Sequence, residues 1–329
     1  MSIKPALMHW SRNSVRLPGR LVAAAGFALA AAPAIAGDLA FVTCQNGDGV
    51  SVLDLDAGTQ ISQWSVPGKP AGVAVADAVV FTVAPDSKTV RRHAAATGKV
   101  TAEIQLEGGP IGVAHDPARG RVFVSDWYNA RVWVLTASDL SHLADLPTGA
   151  APAGLALSDD GRFLASADRD ADQVSIFDAD TLTLHRRIDV GTRPFGLRFA
   201  PDGRLFVANV GSHDVTVIDP QVDRAVTTFS VGERPYGVAF AQGRAFVTNQ
   251  YADTVSVVDT STYQTLATLP SGEYPEGIDT STDGQSIIVA NWFDNSVTII
   301  DAVTLSVIKE IETCDGPRAF GEFVQRDFR

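Results

Sequence analysis

Residues 232–269, GERPYGVAFAQGRAFVTNQYADTVSVVDTSTYQTLATL, contain four short segments of apolar and β-branched residues separated by turn residues. The segment 254–259, TVSVVD, alternates polar and apolar residues, which is the pattern of a strand. The four segments are 236–240, 245–249, 254–259 and 264–269. No long pattern with a 3.6-residue period follows residue 36, so helical repeats are excluded. This stretch therefore predicts four short strands joined by tight turns.

The same stretch is one copy of an internal repeat. A Pro-x-Gly motif, preceded by a glycine and followed by an aliphatic residue, recurs every 40 to 42 residues. A fixed period of this length indicates a propeller or a solenoid, and four antiparallel strands per period make one propeller blade. The repeated prolines are Pro70, Pro110, Pro152, Pro194, Pro235, Pro275 and, in an irregular seventh copy, Pro317.

The phase of the repeat predicts how the ring closes. Residues 37–329 hold about seven periods. They begin with the equivalent of a second strand, 39–43, and end with the equivalent of a first strand, 319–324. We therefore predict an all-β, seven-bladed β-propeller with four antiparallel strands per blade, spanning 37–329 as a single domain. Its ring is closed by pairing the N-terminal strands with the C-terminal strand, which leaves no free sheet edge at the seam.

Both cysteines of the chain fall in the blade that is split between the termini. Cys44 ends its second strand, and Cys314 lies just before its first strand, so both belong to the same face of the ring. In an oxidising compartment such a pair forms a disulfide. We predict a Cys44–Cys314 bridge that holds the closure, with two unpaired buried thiols as the alternative.

The first 36 residues have the pattern of a signal peptide that is cleaved after Ala36. A basic segment precedes the apolar run 21–32, and 34–36, AIA, offers a cleavage site. The run is short for a membrane span, although an uncleaved anchor remains the alternative. We predict a periplasmic or secreted protein with no membrane span after cleavage. The basic residues are Lys4, Arg12, Arg16 and Arg20.

The net charge of -12 argues against one class of partner. Nucleic-acid-binding proteins present a basic surface, so we expect no nucleic-acid partner. The acidic balance supports solubility, and we expect a monomer.

The strand ends resemble those of a known repeat family. Residues 206–209, 246–249 and 288–291 read FVAN, FVTN and IVAN, and each is followed at fixed spacing by an alternating strand ending in Asp. Together with the glycine and proline motif, this resembles the YVTN-type β-propeller repeat family over the whole of 37–329. Ala84 and Asp168 depart from the Asn at this position. The resemblance implies a β-propeller fold and an exported protein. Relatives of the family include haem d1-type and amine-dehydrogenase propellers, and some of its members lie near quinoprotein oxidation systems.

The loops leading into the first strands open on one face of a propeller, and their side chains differ around the ring. Half of them are small and apolar, whereas the other half are aromatic and charged. Arginines bind carboxylate or phosphate through paired hydrogen bonds, so this funnel is a candidate site for a small anion or a partner's loop. The alternative is a solvated rim with ion pairs such as Glu233–Arg193. The candidate residues are Arg193, Arg234, Tyr236, Tyr274, Glu276 and Arg318.

Other polar residues favour structural roles. The Asp or Asn at each second-strand end is expected to bond the backbone of its own turn, although these residues, with Trp127 and Trp292, could also form a ligand ring. His115 replaces an aromatic residue and is expected in the interblade core, with haem or metal ligation as the alternative. No metal-binding motif and no C-x-x-C-H haem motif is present, so we predict no metal and no cofactor. The strand-end residues are Asp126, Asp168, Asn209, Asn249 and Asn291.

Two classes of function follow. The first is a non-enzymatic binding or scaffold module that presents one face and the channel mouth to a periplasmic protein or a small, anionic ligand. The absence of a catalytic motif favours it, and we assign no catalytic residue. The second is a periplasmic enzyme or cofactor-linked accessory, resembling a lyase or lactonase or associated with a quinoprotein or haem d1 system. It would require an open pocket with an unpaired Glu276, whereas a narrow channel with paired side chains would favour the module.

Overall fold

Alternating apolar and polar residues form strands throughout the computed structural model, which describes residues 1–2, 37–76 and 78–325. Residues 37–329 make one unit. The predicted signal peptide and its cleavage site fall on residues 3–36 and lie outside the described residues. Within the described part of the chain, no helix has the length and apolar character needed to cross a bilayer.

The sheets form seven blades, as the period predicts. Blades 3 to 7 each consist of four consecutive antiparallel strands, and blades 1 and 2 also include the closing strands described below. The strands of blades 1 to 4 are β1 (Leu39–Cys44), β2 (Gly49–Asp54), β3 (Thr59–Ser65), β4 (Gly72–Ala76), β5 (Val79–Ala84), β6 (Thr89–Ala94), β7 (Val100–Gln105), β8 (Pro110–Asp116), β9 (Arg121–Asp126), β10 (Arg131–Thr136), β11 (His142–Pro147), β12 (Pro152–Leu157), β13 (Phe163–Asp168), β14 (Gln173–Asp178) and β15 (Thr183–Asp189).

The later blades repeat this arrangement, and a 3-10 helix, η1 (Arg169–Ala171), lies between β13 and β14 of blade 4. The remaining strands are β16 (Pro194–Phe199), β17 (Leu205–Asn209), β18 (Asp214–Asp219), β19 (Arg224–Ser230), β20 (Pro235–Ala241), β21 (Arg244–Asn249), β22 (Thr254–Asp259), β23 (Thr265–Pro270), β24 (Pro275–Thr280), β25 (Ser286–Asn291), β26 (Ser296–Asp301), β27 (Ser306–Glu312), β28 (Phe320–Glu322) and β29 (Val324–Gln325).

A bulge at the start of each inner strand of blades 3 to 7 releases two residues from the ladder. In blade 6, Pro235 pairs with Asn249, and the next pair in register is Val238 with Val247. Tyr236 and Gly237 therefore lie outside the regular pairing. Bulges of this kind re-aim side chains next to functional sites. Here the bulge lies at the upper face, which we define as the face that carries the loops into the inner strands.

The glycine of the Pro-x-Gly motif allows the inner strands to approach closely around the axis. A Cβ on Gly196 would lie 2.0 Å from the carbonyl oxygen of Tyr236 in the next blade, and one on Gly112 would lie 2.2 Å from that of Ala153. These distances are far below van der Waals contact, so a side chain at either position would push two blades apart. The repeated glycine is thus explained by the packing of blade on blade.

Apolar side chains from neighbouring blades meet between the sheets. Phe81, Phe123, Phe206 and Phe246, at matching positions of second strands, are fully buried. Burying each such side chain contributes about 1.5–3 kcal/mol relative to leaving it exposed. His115 is half-buried and its ring lies 5.2 Å from that of Phe81 in blade 2, in agreement with the predicted interblade position.

The C-terminal segment closes the ring, as predicted, but as two short strands instead of one. β29 pairs antiparallel with β1, while β28 pairs parallel with β4 of blade 2. The predicted single strand 319–324 is therefore wrong in detail. Its motif, at 316–321, has two more residues between proline and glycine than the other copies, and the additional residues are Arg318 and Ala319.

Two interactions hold the closing segment, one at each end. The predicted disulfide is present: Cys44 and Cys314 are bonded, with their Cα atoms 5.6 Å apart. At the lower face, which lies opposite the upper face, one carboxylate oxygen of Asp279 accepts hydrogen bonds from the backbone N–H groups of Phe323 and Val324, at 2.9 and 3.0 Å. Its other oxygen accepts a hydrogen bond of 2.7 Å from Arg198, which is also buried. The closing segment is thus held by the disulfide at the upper face and by the Asp279 carboxylate, which is paired with Arg198, at the lower face.

Candidate functional site

Side chains from three positions of the repeat meet at the upper mouth of the channel. The first position precedes the motif proline, the second precedes the motif glycine, and the third follows the end of the second strand. In blade 6 these residues are Arg234, Tyr236 and Gln250. Because every blade repeats the three positions, the mouth is built from one scaffold with different side chains.

Hydrogen bonds on both sides fix the residue before the motif proline of blades 6 and 7 in a left-handed conformation. Arg234 has φ +54°, its N–H donates to Nδ1 of His213 in blade 5 at 2.9 Å, and its carbonyl accepts the N–H of Gln250 at 3.0 Å. Tyr274, with φ +61°, is held in the same way by Asp253. This conformation is costly for a residue with a side chain, and the hydrogen bonds on both sides compensate for that cost.

These positions surround a pocket of about 270 Å³ at the channel mouth, which we call the mouth pocket. It extends from blade 3 to the closing segment and has an apolar half and a polar half. Its lining residues are Trp127, Arg169, Phe195, Val210, Arg234, Tyr236, Gln250, Tyr274, Glu276, Trp292 and Arg318.

Aromatic rings form the apolar half and close off the channel beneath it. The ring of Phe195 lies 4.5 Å from that of Tyr236, 4.9 Å from that of Phe320 and 6.1 Å from that of Trp127. Directly below these rings, the space between the inner strands holds only about 50 Å³, and a separate pocket of about 220 Å³ lies farther down between the inner strands of blades 2 to 4. Ligand-sized space at the upper mouth therefore lies above the aromatic cluster.

A buried ion pair forms the floor of the polar half. Oε2 of Glu276 lies 3.0 Å from Nε of Arg318, and Oε1 accepts a hydrogen bond of 2.6 Å from the amide of Gln250. Arg318 also donates to the Tyr236 hydroxyl, at 2.6 Å from Nη2, and to Oε1 of Gln45, at 2.9 Å from Nη1. Both Glu276 and Gln250 are only 3% exposed, so protein contacts replace solvent around their side chains.

Several polar atoms around this floor have no hydrogen-bond partner. Of the six such buried side-chain atoms among the described residues, four belong to the mouth pocket. Two are donors and two are acceptors, and the Glu276 atom has the ion pair with Arg318 but no aligned hydrogen bond. Buried polar groups without a partner cost free energy and call for an explanation. The four atoms are Arg234 Nε, Trp292 Nε1, Gln250 Oε1 and Glu276 Oε2.

Burial dominates the protonation equilibria of the floor. It raises the pKa of the Glu276 carboxyl above its usual value, although the charge of Arg318 and the amide of Gln250 oppose this. It also raises the pKa of Tyr236 well above that of an exposed phenol, and the pKa of Tyr274 to about 12. Both phenols are therefore neutral hydroxyls at neutral pH.

The structure brings together most of the residues named from sequence. Arg234, Tyr236, Tyr274, Glu276 and Arg318 all line the mouth pocket. Arg193 does not: it is exposed, and its backbone N–H is held by Asp172 in the arrangement seen for Arg234. Among the described residues no Glu233–Arg193 ion pair forms, so the alternative of a rim neutralised by that pair receives no support.

The residue after each second strand is the part of the pocket that sequence reasoning overlooked. The available signal was its repeated place directly after the strand-end Asp or Asn, at the same end of every blade. From the sequence, Trp127 and Trp292 are predicted only as possible members of a ligand ring with the strand-end residues. The overlooked lining residues at this position are Arg169, Val210 and Gln250.

The strand-end Asp and Asn side chains serve the structure. Asn249 is fully buried; its carbonyl accepts the N–H of Gly232, and its amide donates to Thr254 and Ser256. Asp168 is likewise buried and bonds Gly149 and Ser175. Within the part of the chain that the structure describes, no three His, Cys, Asp or Glu side chains are grouped as metal ligands would be.

Comparisons with known families agree with the fold. The model of the YNCE-like beta-propeller family matches residues 239–323, and that of the lactonase, 7-bladed beta-propeller, family matches residues 120–235. Each match covers less than half of the chain. The YVTN-type resemblance is compatible with these matches. A search of curated proteins finds no match.

Solved structures share the architecture at low sequence identity. Hydrazine synthase of Kuenenia stuttgartiensis is 18% identical with a TM-score of 0.69, over 77% of this chain and 89% of that one. A functionally unknown protein from Desulfotomaculum acetoxidans is 15% identical with a TM-score of 0.73, over 87% and 98%. Dihydro-heme d1 dehydrogenase NirN in complex with DHE is 15% identical with a TM-score of 0.63, over 87% and 74%. These likenesses support the propeller fold alone.

Proposed function

We propose that this protein is an exported binding module that holds a small organic anion in the mouth pocket. The carrying observation is that four buried polar atoms without hydrogen-bond partners belong to residues that line one pocket of about 270 Å³. A ligand that hydrogen bonds to them would remove the free-energy cost of leaving them unpaired. A pocket of aromatic walls with a few convergent polar groups is typical of small-molecule sites.

The charges of the pocket favour an anion. Three guanidinium groups and one carboxylate line it. Arg318 is paired with Glu276, and Arg169 contacts Asp170, whereas Arg234 has a neutral partner, the hydroxyl of Tyr251 at 2.9 Å. The pocket therefore has an excess of positive charge, and Arg234 Nε–H has no acceptor among the described residues. A carboxylate ligand fits both features.

The geometry favours a module over an enzyme. The channel is narrow, the Phe195, Tyr236 and Phe320 rings lie across it, and Glu276 is paired with Arg318 and Gln250. A carboxylate acting as acid or base needs access to the reacting group and freedom to exchange a proton. The disulfide supports an oxidising compartment, and the acidic propeller would act in the periplasm or outside the cell, without nucleic acid and as a monomer.

Binding by the mouth pocket can be tested with the full chain expressed for export. Benzoate and other small carboxylates, with their neutral amides as controls, would be titrated by calorimetry into wild type, Arg234→Gln and Arg193→Gln. We expect carboxylates to bind wild type and Arg193→Gln equally and Arg234→Gln at least tenfold more weakly. Binding lost equally in both variants, or carboxylates no tighter than amides, would contradict the proposal.

The lactonase-family match gives the enzyme alternative a specific test. Glu276, whose pKa burial raises, would be the acid or base of a lactone hydrolysis. Hydrolysis of simple lactones by the purified protein, lost in Glu276→Gln, would replace the binding module with an enzyme. Rates equal to the buffer alone in both proteins would leave the binding proposal in place.

A further inference from the structure

We infer that the ligand of the mouth pocket is an aromatic 2-hydroxycarboxylate, an inference that rests on the proposed function and specifies its ligand. The pocket contains a mainly apolar half on blades 3 to 5, where Arg169 is the one charged residue among the described lining residues, and a polar half on blades 6 and 7. One molecule that satisfies both must carry a flat apolar group next to a compact polar head.

The apolar half accepts a planar group. Trp127, Phe195 and Val210 line it, and the Phe195 ring contacts that of Tyr236 at a centroid distance of 4.5 Å. Phe195 and Val210 are 7% and 5% exposed. Aromatic side chains prefer offset-stacked or edge-on partners, so a phenyl ring would find favourable contacts here. A small aliphatic acid would leave this half unfilled.

The donors in the polar half call for a carboxylate. Arg234 Nε and Trp292 Nε1 are buried N–H groups with no acceptor among the described residues. Tyr274, which also lines the pocket, has its ring 5.4 Å from that of Tyr251 and 5.8 Å from that of Trp292. A carboxylate has two acceptor oxygens and matches one charged and one neutral donor.

The acceptors call for a donor on the same ligand. Gln250 Oε1 has no hydrogen-bond donor among the described residues, and Glu276 Oε2 has only its ion pair with Arg318 at 3.0 Å. The two side chains are joined by a hydrogen bond of 2.6 Å, so these oxygens belong to one polar patch. A hydroxyl meets this requirement without adding charge. An ammonium group would also donate, but Arg318 already neutralises Glu276 and Arg234 adds positive charge nearby. Repulsion between like charges therefore favours the hydroxyl over the amino acid.

A ligand series that removes one feature at a time tests this inference on the wild-type protein. The probes are 3-phenyllactate, 3-phenylpropionate without the hydroxyl, lactate without the ring, and phenylalanine with an ammonium in place of the hydroxyl. We expect calorimetry to give a Kd for phenyllactate at least tenfold lower than that for each of the other three.

Two variants assign the features to residues. Gln250→Leu removes an acceptor, so the ratio of the phenylpropionate and phenyllactate Kd values should fall towards one. Trp292→Phe keeps an aromatic side chain, although a smaller one, and removes the N–H, so all carboxylates should bind about fivefold more weakly, as expected for one lost hydrogen bond. Melting temperatures without ligand show whether each variant is folded, and the wild-type series stands if one is not.

The outcomes separate the two proposals. If all carboxylates bind equally well and depend on Arg234, the ligand class is wrong and the anion-binding function stands. If phenylalanine binds more tightly than phenyllactate, the ligand is an amino acid and the inference is overturned. If no carboxylate binds, both proposals are overturned.

Discussion

The two mouths of the channel each contain a buried arginine paired with a carboxylate, yet the two pairs differ in how completely their surroundings satisfy them. At the lower mouth, Asp279 accepts hydrogen bonds from Arg198 and from the backbone of the closing strand. At the upper mouth, Glu276 is paired with Arg318, but Oε2 lacks an aligned hydrogen bond, and three further polar atoms nearby lack one too.

This difference distinguishes a structural ion pair from a binding site. The lower carboxylate is fully engaged in holding the ring closed, so no capacity remains for a ligand. The upper pair has unpaired donors and acceptors on residues that line a pocket. Buried polar groups that are fully satisfied make a structure rigid and specific, whereas unsatisfied ones are costly unless something binds to them.

The largest effect is expected at the lower mouth. Asp279→Asn removes the charge that compensates Arg198, whose side chain is 11% exposed, and weakens the cap on the closing strand. Breaking a buried pair in this way costs about 3–5 kcal/mol of unfolding free energy. Urea denaturation measures the loss. Glu322→Gln is the matched control, because its carboxylate lies 3.5 Å from Arg198 but is 58% exposed, and it should change stability by less than about 0.5 kcal/mol. Equal effects of the two variants would contradict the structural role of Asp279.

The disulfide at the upper end of the closing segment comes next. Replacing both Cys44 and Cys314 by serine should cost about 2–5 kcal/mol, because the bridge spans 270 residues of sequence and restricts the unfolded chain. The measurement compares urea midpoints of oxidised wild type, reduced wild type and the double variant. Reduced wild type should resemble the variant; a reduced protein as stable as the oxidised one would show that the strand pairing alone closes the ring.

The ion pair at the upper mouth should matter less for stability. Glu276→Gln leaves Arg318 its hydrogen bonds to Tyr236 and Gln45, so we expect the stability at neutral pH to change by no more than about 1 kcal/mol. A loss as large as that of Asp279→Asn would remove the distinction between the two mouths.

The pH dependence of that variant gives the smallest effect. Burial raises the folded-state pKa of Glu276 above its unfolded value, so the fold favours the protonated carboxyl. Its stabilising contribution is complete below the unfolded pKa of about 4.5 and declines as pH rises through the folded pKa. The stability of wild type relative to Glu276→Gln should therefore fall from pH 4 towards pH 7. A relative stability that rises over this range would contradict the sign of the shift.

Much of the candidate site followed from repeat positions. The lopsided set of residues around the motif prolines pointed to five residues that line the mouth pocket: Arg234, Tyr236, Tyr274, Glu276 and Arg318. Arg193 has the same place in its blade as Arg234, so the repeat alone could not separate them. Gln250 was overlooked because a single glutamine after a strand carries no chemical signature until its neighbours are known.

The architecture follows from the sequence, because the period near 41 residues, the alternation within strands and the phase at the two ends are local patterns that require seven blades and a closed ring. Even the disulfide followed, because the repeat placed Cys44 and Cys314 in one blade. Which polar atoms are satisfied depends instead on how the blades pack. Asp279 finds its partners 44 and 45 residues away along the chain, and Gln250 meets Glu276 across two blades. Hydrogen bonding depends on distance and direction in space, and these are set only when the blades pack against one another.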